Sequence, residues 1–204
     1  MRTSLLFLLV CLLSCSGAVA QSPEADSSGS GIVPYYALNA GLLIPNAEAI
    51  PGQDVATTGL PIHIKMTGVV GMRVNPRTYF GIGSGVLFNN RGMTLPVFAE
   101  VRGDILKRKI TPFWYCQLGS SIPLYRTSDE PDWWGNPIYE DFKARGGLFY
   151  DVGVGMKVGN EDYATTLSIG FQGMTLSESY RAWGSRFENT YTFQRISIQG
   201  GWWF

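Results

Sequence analysis

Apolar residues recur at every second position through most of the chain beyond residue 33, and this pattern predicts strands. Its clearest stretch runs from Gly147 to Val158. Leu148, Tyr150, Val152, Val154, Met156 and Val158 alternate there with Gly147, Phe149, Asp151, Gly153, Gly155 and Lys157. A period of two places the two sets on opposite faces of one strand. A half-buried strand of a soluble protein would set its core against a fully polar face. Here the second face mixes glycine, acid and base, which is the content of a narrow lumen filled by side chains.

The same alternation predicts seven further strands, over residues 35–44, 62–74, 78–88, 94–103, 113–124, 163–176 and 189–204. Asn75-Pro76-Arg77, the basic turn around Lys107-Arg108-Lys109, and Asn160-Glu161-Asp162 make short links after the second, fourth and sixth strands. The links after the first, fifth and seventh are expected to be longer. The first of these runs from Pro45 to Pro61 and is broken by proline and glycine. Asn89 to Gly92, after the third strand, is the exception to the alternation. Short turns on one rim and long loops on the other predict an all-β, eight-stranded antiparallel up-and-down transmembrane β-barrel. Both termini then lie on the short-turn, periplasmic side.

Alternation alone does not say which face is inside, and a soluble lipid-binding barrel would turn its apolar face inward. Two features favour the membrane arrangement. The glycine-rich face fits the crowded concave side, and Tyr36, Phe88, Trp114, Tyr163, Trp202 and Phe204 fall near strand ends, as interfacial aromatics do. Beyond the N-terminal segment no apolar run is long enough for a membrane helix. Entry into a membrane therefore requires a closed sheet, since lipid offers unpaired backbone no partner.

Met1 to Ala20 has Arg2, an apolar run from Leu5 to Leu13, and Ala18-Val19-Ala20, the form of a secretory signal cleaved after Ala20. The rival is a lipoprotein signal with Cys15 acylated, although Leu13 sits poorly so close before a lipidated cysteine. Residues 21–32 read as a flexible leader and 33–204 as the barrel domain. Cleavage leaves 204 − 20 = 184 residues with fifteen bases against sixteen acids. That near-neutral balance argues against a nucleic-acid partner. Cys116 alone remains of three cysteines and His63 is the single histidine. An intramolecular disulfide and the Cys- and His-rich metal sites are thereby excluded, and no cofactor is expected.

Four segments carry a family resemblance: Phe80-Gly-Ile-Gly-Ser-Gly85, Leu95-Pro-Val-Phe98 running to Val101-Arg102, Thr111-Pro-Phe113, and the terminal Gly201-Trp-Trp-Phe204. Together they resemble the Bacteroidota-type outer-membrane β-barrel family, similar in architecture to the OmpA-like small barrels. The resemblance covers nearly all of residues 33–204. It implies location and fold, with outer-membrane lipid and the barrel assembly machinery as partners, and it implies little about activity. Ending on an aromatic, Phe204, resembles the signal by which such barrels are recognised for assembly.

The chemical motifs have plain readings. Gly81-x-Gly83-x-Gly85 and Gly153-x-Gly155 lack both the third glycine and the following helix of a nucleotide loop, so small lumen residues account for them. His63 falls on the lumen face and is followed by Ile64 and Lys65. It lacks the close serine of a lipid-facing deacylase pair. Asp129, Glu130, Asp132, Glu140 and Asp141 surround Trp133-Trp134 in a loop that matches no calcium motif. A solvated loop is the default there, and Trp133 and Trp134 are where an extracellular ligand or protein partner would bind. Lys65, Arg73, Glu100, Arg102, Asp151, Lys157 and Arg195 all point inward by alternation. In an eight-stranded lumen they must pair with one another or with trapped water, which predicts a plug. The expected function is therefore structural or interaction-type, with no catalysis. A membrane-embedded hydrolase, a narrow channel and a soluble lipid-binding barrel remain as alternatives.

Overall fold

A computed structural model describes residues 33–45, 62–89, 92–106, 109–124, 140–160, 163–182 and 185–204. The expected signal, the expected leader and Trp133-Trp134 lie outside the described residues. Eight strands follow one another: β1 (Val33–Pro45), β2 (His63–Asn75), β3 (Thr78–Asn89), β4 (Gly92–Asp104), β5 (Ile110–Pro123), β6 (Glu140–Gly159), β7 (Ala164–Ala182) and β8 (Ser185–Trp203). Each pairs antiparallel with the next, and β8 returns to β1 to close the barrel. Closure leaves no open strand edge around the apolar part of the wall, so lipid meets no row of unpaired backbone groups there.

The register fixes how far the strands are staggered. Stepping across hydrogen-bonded neighbours from Tyr35 leads through Gly71, Gly81, Glu100, Gln117, Asp151, Gln172 and Arg195, and returns to β1 at Pro45. The path comes back 45 − 35 = 10 residues further along β1. A stagger of this kind tilts the strands and sets a lumen that side chains can fill. Every residue on the path faces inward, so one turn of the sheet aligns Glu100, Gln117, Asp151, Gln172 and Arg195 on consecutive strands.

The faces are as the alternation predicts. Ile82, Leu167 and Trp202 are 73%, 64% and 63% exposed on the outside, whereas Lys65 and Asp151 are wholly buried within. This is the inverse of a soluble lipid-binding barrel, whose apolar face surrounds a ligand.

One link differs from expectation. Residues 177–188 were expected to form a long loop, but β7 and β8 continue as a hairpin to Ala182 and Ser185. The outward face changes character along the way. On β7 it passes from Leu167, Ile169 and Phe171 to Thr175, Ser177 and Ser179, and on β8 from Trp202, Ile198 and Ile196 to Thr192, Thr190 and Glu188. A strand that leaves the apolar band exchanges its outer apolar positions for polar ones while keeping its period. β6 likewise begins at Glu140, within the segment expected to be loop.

Candidate functional site: the barrel interior

The sequence supplies the interior by placing a charged or amide residue at alternate positions of β2, β4, β5, β6, β7 and β8, and the stagger brings them together. Lys65 Nζ donates to Asp151 Oδ2 at 2.5 Å and to Gln117 Oε1 at 3.3 Å. Gln117 Nε2 donates in turn to Glu100 Oε2 at 2.6 Å, and Arg102 holds the other oxygen of Glu100 at 3.0 Å. The remaining capacity of Asp151 is filled by Tyr115, Ser197 and Gln199, which donate at 3.1, 3.3 and 3.1 Å. A carboxylate with this many donors stays paired in a dry interior, where a lone ion would be costly.

Near the rim where the chain ends, aromatic rings replace amides as partners for the bases. Lys157 Nζ lies 2.5 Å from Asp104 Oδ2 and 4.8 Å from the centre of the Trp203 ring. Arg102 lies over Trp203 and Phe113 at 4.9 and 5.1 Å. Trp203 also stacks on Tyr35 and meets Tyr79 edge-on, at 4.8 and 4.6 Å between ring centres. Such packing returns part of the desolvation cost of the cations through the ring quadrupoles. On the far side of the network from this rim, Leu43, Leu87, Phe149, Met174 and Leu176 are buried and form apolar filling.

Five of the seven residues expected in the lumen are buried and face inward, namely Lys65, Glu100, Arg102, Asp151 and Arg195, and Lys157 faces inward with its side chain partly exposed. Arg73 also faces inward but is only half-buried, where β2 meets its turn. The expectation of two inward acids needs correction, because Glu178, toward the far end of β7, is also buried on the inward side, and so is Asp104. Asp104 continues the alternation of Glu100 and Arg102 by one step and was legible from that spacing. Gln117, Tyr115 and Gln199 were missed because a search for charge passes over neutral hydrogen-bonding side chains. Phe204 sits at the closing seam, where its backbone exchanges hydrogen bonds of 2.7 and 3.0 Å with Tyr36.

Chemically the arrangement among the described residues joins strands through ion pairs and hydrogen bonds. Ser197 Oγ meets Asp151 and Tyr115, with no imidazole among its partners. Neither ring nitrogen of His63 has a hydrogen-bond partner among the described residues. Those residues also contain no group of three side chains placed to hold a metal ion. Small size is a requirement at Gly170, where a Cβ would collide with the Tyr115 hydroxyl and come within 2.8 Å of Asp151 Oδ1.

No protein-family model and no curated protein matches this chain. Solved structures do. The chain resembles the outer membrane protein AlkL, determined in lipid bilayers by solid-state NMR, with a TM-score of 0.53 at 12% identity over 91% of this chain and 97% of AlkL. It also resembles Neisserial surface protein A, with a TM-score of 0.55 at 10% identity over 85% of this chain and 97% of that protein. At such identities the likeness establishes the fold, a closed eight-stranded antiparallel barrel of the kind those outer membrane proteins have.

Proposed function

We propose that the chain is an integral outer-membrane barrel of structural or interaction type, with its lumen closed by its own side chains. The observation that carries this reading is the inversion of faces. A belt of exposed Leu, Ile, Val, Met and aromatic side chains circles the outside, while paired ions and amides fill the inside. An apolar surface that surrounds the whole molecule is far beyond the patches a soluble monomer exposes, and lipid is the solvent that suits it. Burial of the lumen ions supports closure, since a water-filled channel would leave such side chains hydrated.

The orientation follows from the same features. The rim of short turns, where β1 begins and β8 ends, faces the periplasm. The opposite rim carries the long links and the extended β7–β8 hairpin to the cell exterior, and Trp133 and Trp134 belong to one of those links. An N-terminal signal cleaved after Ala20 delivers the chain, and the assembly machinery reads the terminal Phe204. The motifs that resemble the Bacteroidota-type family support a place among its small barrels.

Fractionation of cells that express the full chain tests this function. The protein should sediment with the outer membrane, resist carbonate extraction and run faster on a gel when unheated than after boiling. Recovery in the soluble periplasmic fraction, with mobility unaffected by heat, would overturn it.

A further inference from the structure

Three of the inward-facing bases have a carboxylate each: Lys65 has Asp151, Arg102 has Glu100 and Lys157 has Asp104. Arg195 has none. It is 1% exposed, and Nε and both terminal nitrogens lack a hydrogen-bond partner among the described residues. Its guanidinium lies over the ring of Phe193, 4.9 Å from the ring centre. A guanidinium so enclosed calls for a counter-charge, because an ion withdrawn from water without a partner is strongly destabilised.

The side chains around Arg195 are in the same condition. Gln172, its cross-strand neighbour on β7, is wholly buried with both amide atoms unpartnered. On the other side of Arg195, β1 places Pro45 beside it and Leu43 beside His63. His63 is 8% exposed, with both ring nitrogens unpartnered. The nearest acid along the sheet is Asp151, next to Gln172, but its oxygens are already taken by Lys65, Tyr115, Ser197 and Gln199. A cluster of unsatisfied buried donors on three strands, bearing one uncompensated positive charge, is where an unassigned partner is expected.

We infer that Arg195, Gln172 and His63 form a buried site for a small monovalent carboxylate, of the size of formate. The guanidinium presents two parallel N–H groups that match the two oxygens of a carboxylate. The Gln172 amide and one His63 N–H supply further donors to the same oxygens. One negative charge balances one guanidinium, whereas a phosphate dianion would leave an excess. The burial of all three residues limits the guest to a few atoms. The site concerns the barrel's own interior and holds in a micelle as well as in a cell, so it stands or falls separately from the outer-membrane location.

The test uses the full chain refolded in detergent micelles. The temperature at which the compact gel band converts to the unfolded one is measured while sodium gluconate, too bulky to enter, is replaced by sodium formate at constant ionic strength. The wild-type midpoint should rise with formate and level off, and the 13C line of labelled formate should broaden in its presence. Arg195→Met, which removes the charge and keeps the length, should lose both responses. If that variant does not assemble, Gln172→Leu serves instead, and it should need several-fold more formate for the same rise. A wild-type midpoint that is the same in both salts would overturn the inference. It would assign the site to water or to a carboxylate of the chain itself, the latter if Glu48→Gln or Asp54→Asn lowers the midpoint.

Discussion

Lys65 on β2 and Asp151 on β6 meet at 2.5 Å although three strands lie between them on either side of a ring of eight, so their ion pair spans the lumen directly. The pair acts as a crossbar, and each charge depends on the other because neither reaches water. Asp151→Ala should lower barrel stability by about 3–5 kcal/mol, the usual cost of orphaning one member of a buried pair. Lys65→Met combined with Asp151→Leu should recover much of that loss, and a double-mutant cycle on refolding in micelles measures the difference. The same crossbar predicts no steady large conductance for the wild type in planar bilayers. A stable open channel, with stability indifferent to Asp151, would show that the lumen is hydrated.

The fit of that network depends on a position with no side chain. Gly170→Ala should displace Tyr115 or Asp151 and destabilise the barrel by about 1–3 kcal/mol, the range for overpacking. Gly200→Ala on the outer face is the control, since the nearest atom to its Cβ would be 3.9 Å away. Equal melting behaviour of the two variants would contradict the packing described for the interior.

Arginine at Val154, at the middle of the outer face of β6, should cost about 2–4 kcal/mol in lipid, and arginine at Thr165, near the short-turn rim, about 0–1 kcal/mol. Gly159 would be a poor choice for the milder site despite lying beside the turn. Its φ of 149° and the approach of the Tyr163 carbonyl strain any side chain there. Refolding yields in vesicles distinguish the depths. Equal tolerance at 154 and 165 would mean that the apolar belt does not face lipid.

Deleting Phe204 removes two backbone hydrogen bonds to Tyr36 and the ring stacked on that tyrosine, with centres 6.2 Å apart. These lie at the seam where β8 closes on β1. The truncated chain should give much less heat-modifiable barrel in cells than a chain that lacks two residues near Gln21. Comparable yields from both would remove the terminal aromatic from the account of assembly.

The strands and their inward and outward faces were legible because lipid and a narrow lumen impose opposite demands on alternate residues. Leu148 through Val158 state this plainly. The top of the β7–β8 hairpin was not legible for the same reason. Beyond Leu176 both faces carry polar residues, and a pattern calibrated on the apolar belt reads Ser177, Glu178 and Ser179 as loop. The pairing inside the barrel was open at the level of sequence too. Lys65 and Asp151 are 86 residues apart, and only the ten-residue stagger of the closed sheet brings them together. Asp104 is the intermediate case, since it lies on the Glu100–Arg102 alternation but beyond the predicted end of its strand.

The central claim, lipid outside and a filled polar lumen within, has a native reporter in Cys116, the only cysteine after residue 20. It faces outward on β5, half-exposed, between Val101 of β4 and Val152 of β6. In vesicles the folded protein should not react with a membrane-impermeant maleimide. Once labelled through a permeant reagent, its fluorophore should be quenched more strongly by a quencher deep in the acyl chains than by one at the headgroups. Ready reaction of folded Cys116 with the impermeant reagent, together with no quenching from the acyl region, would contradict the account.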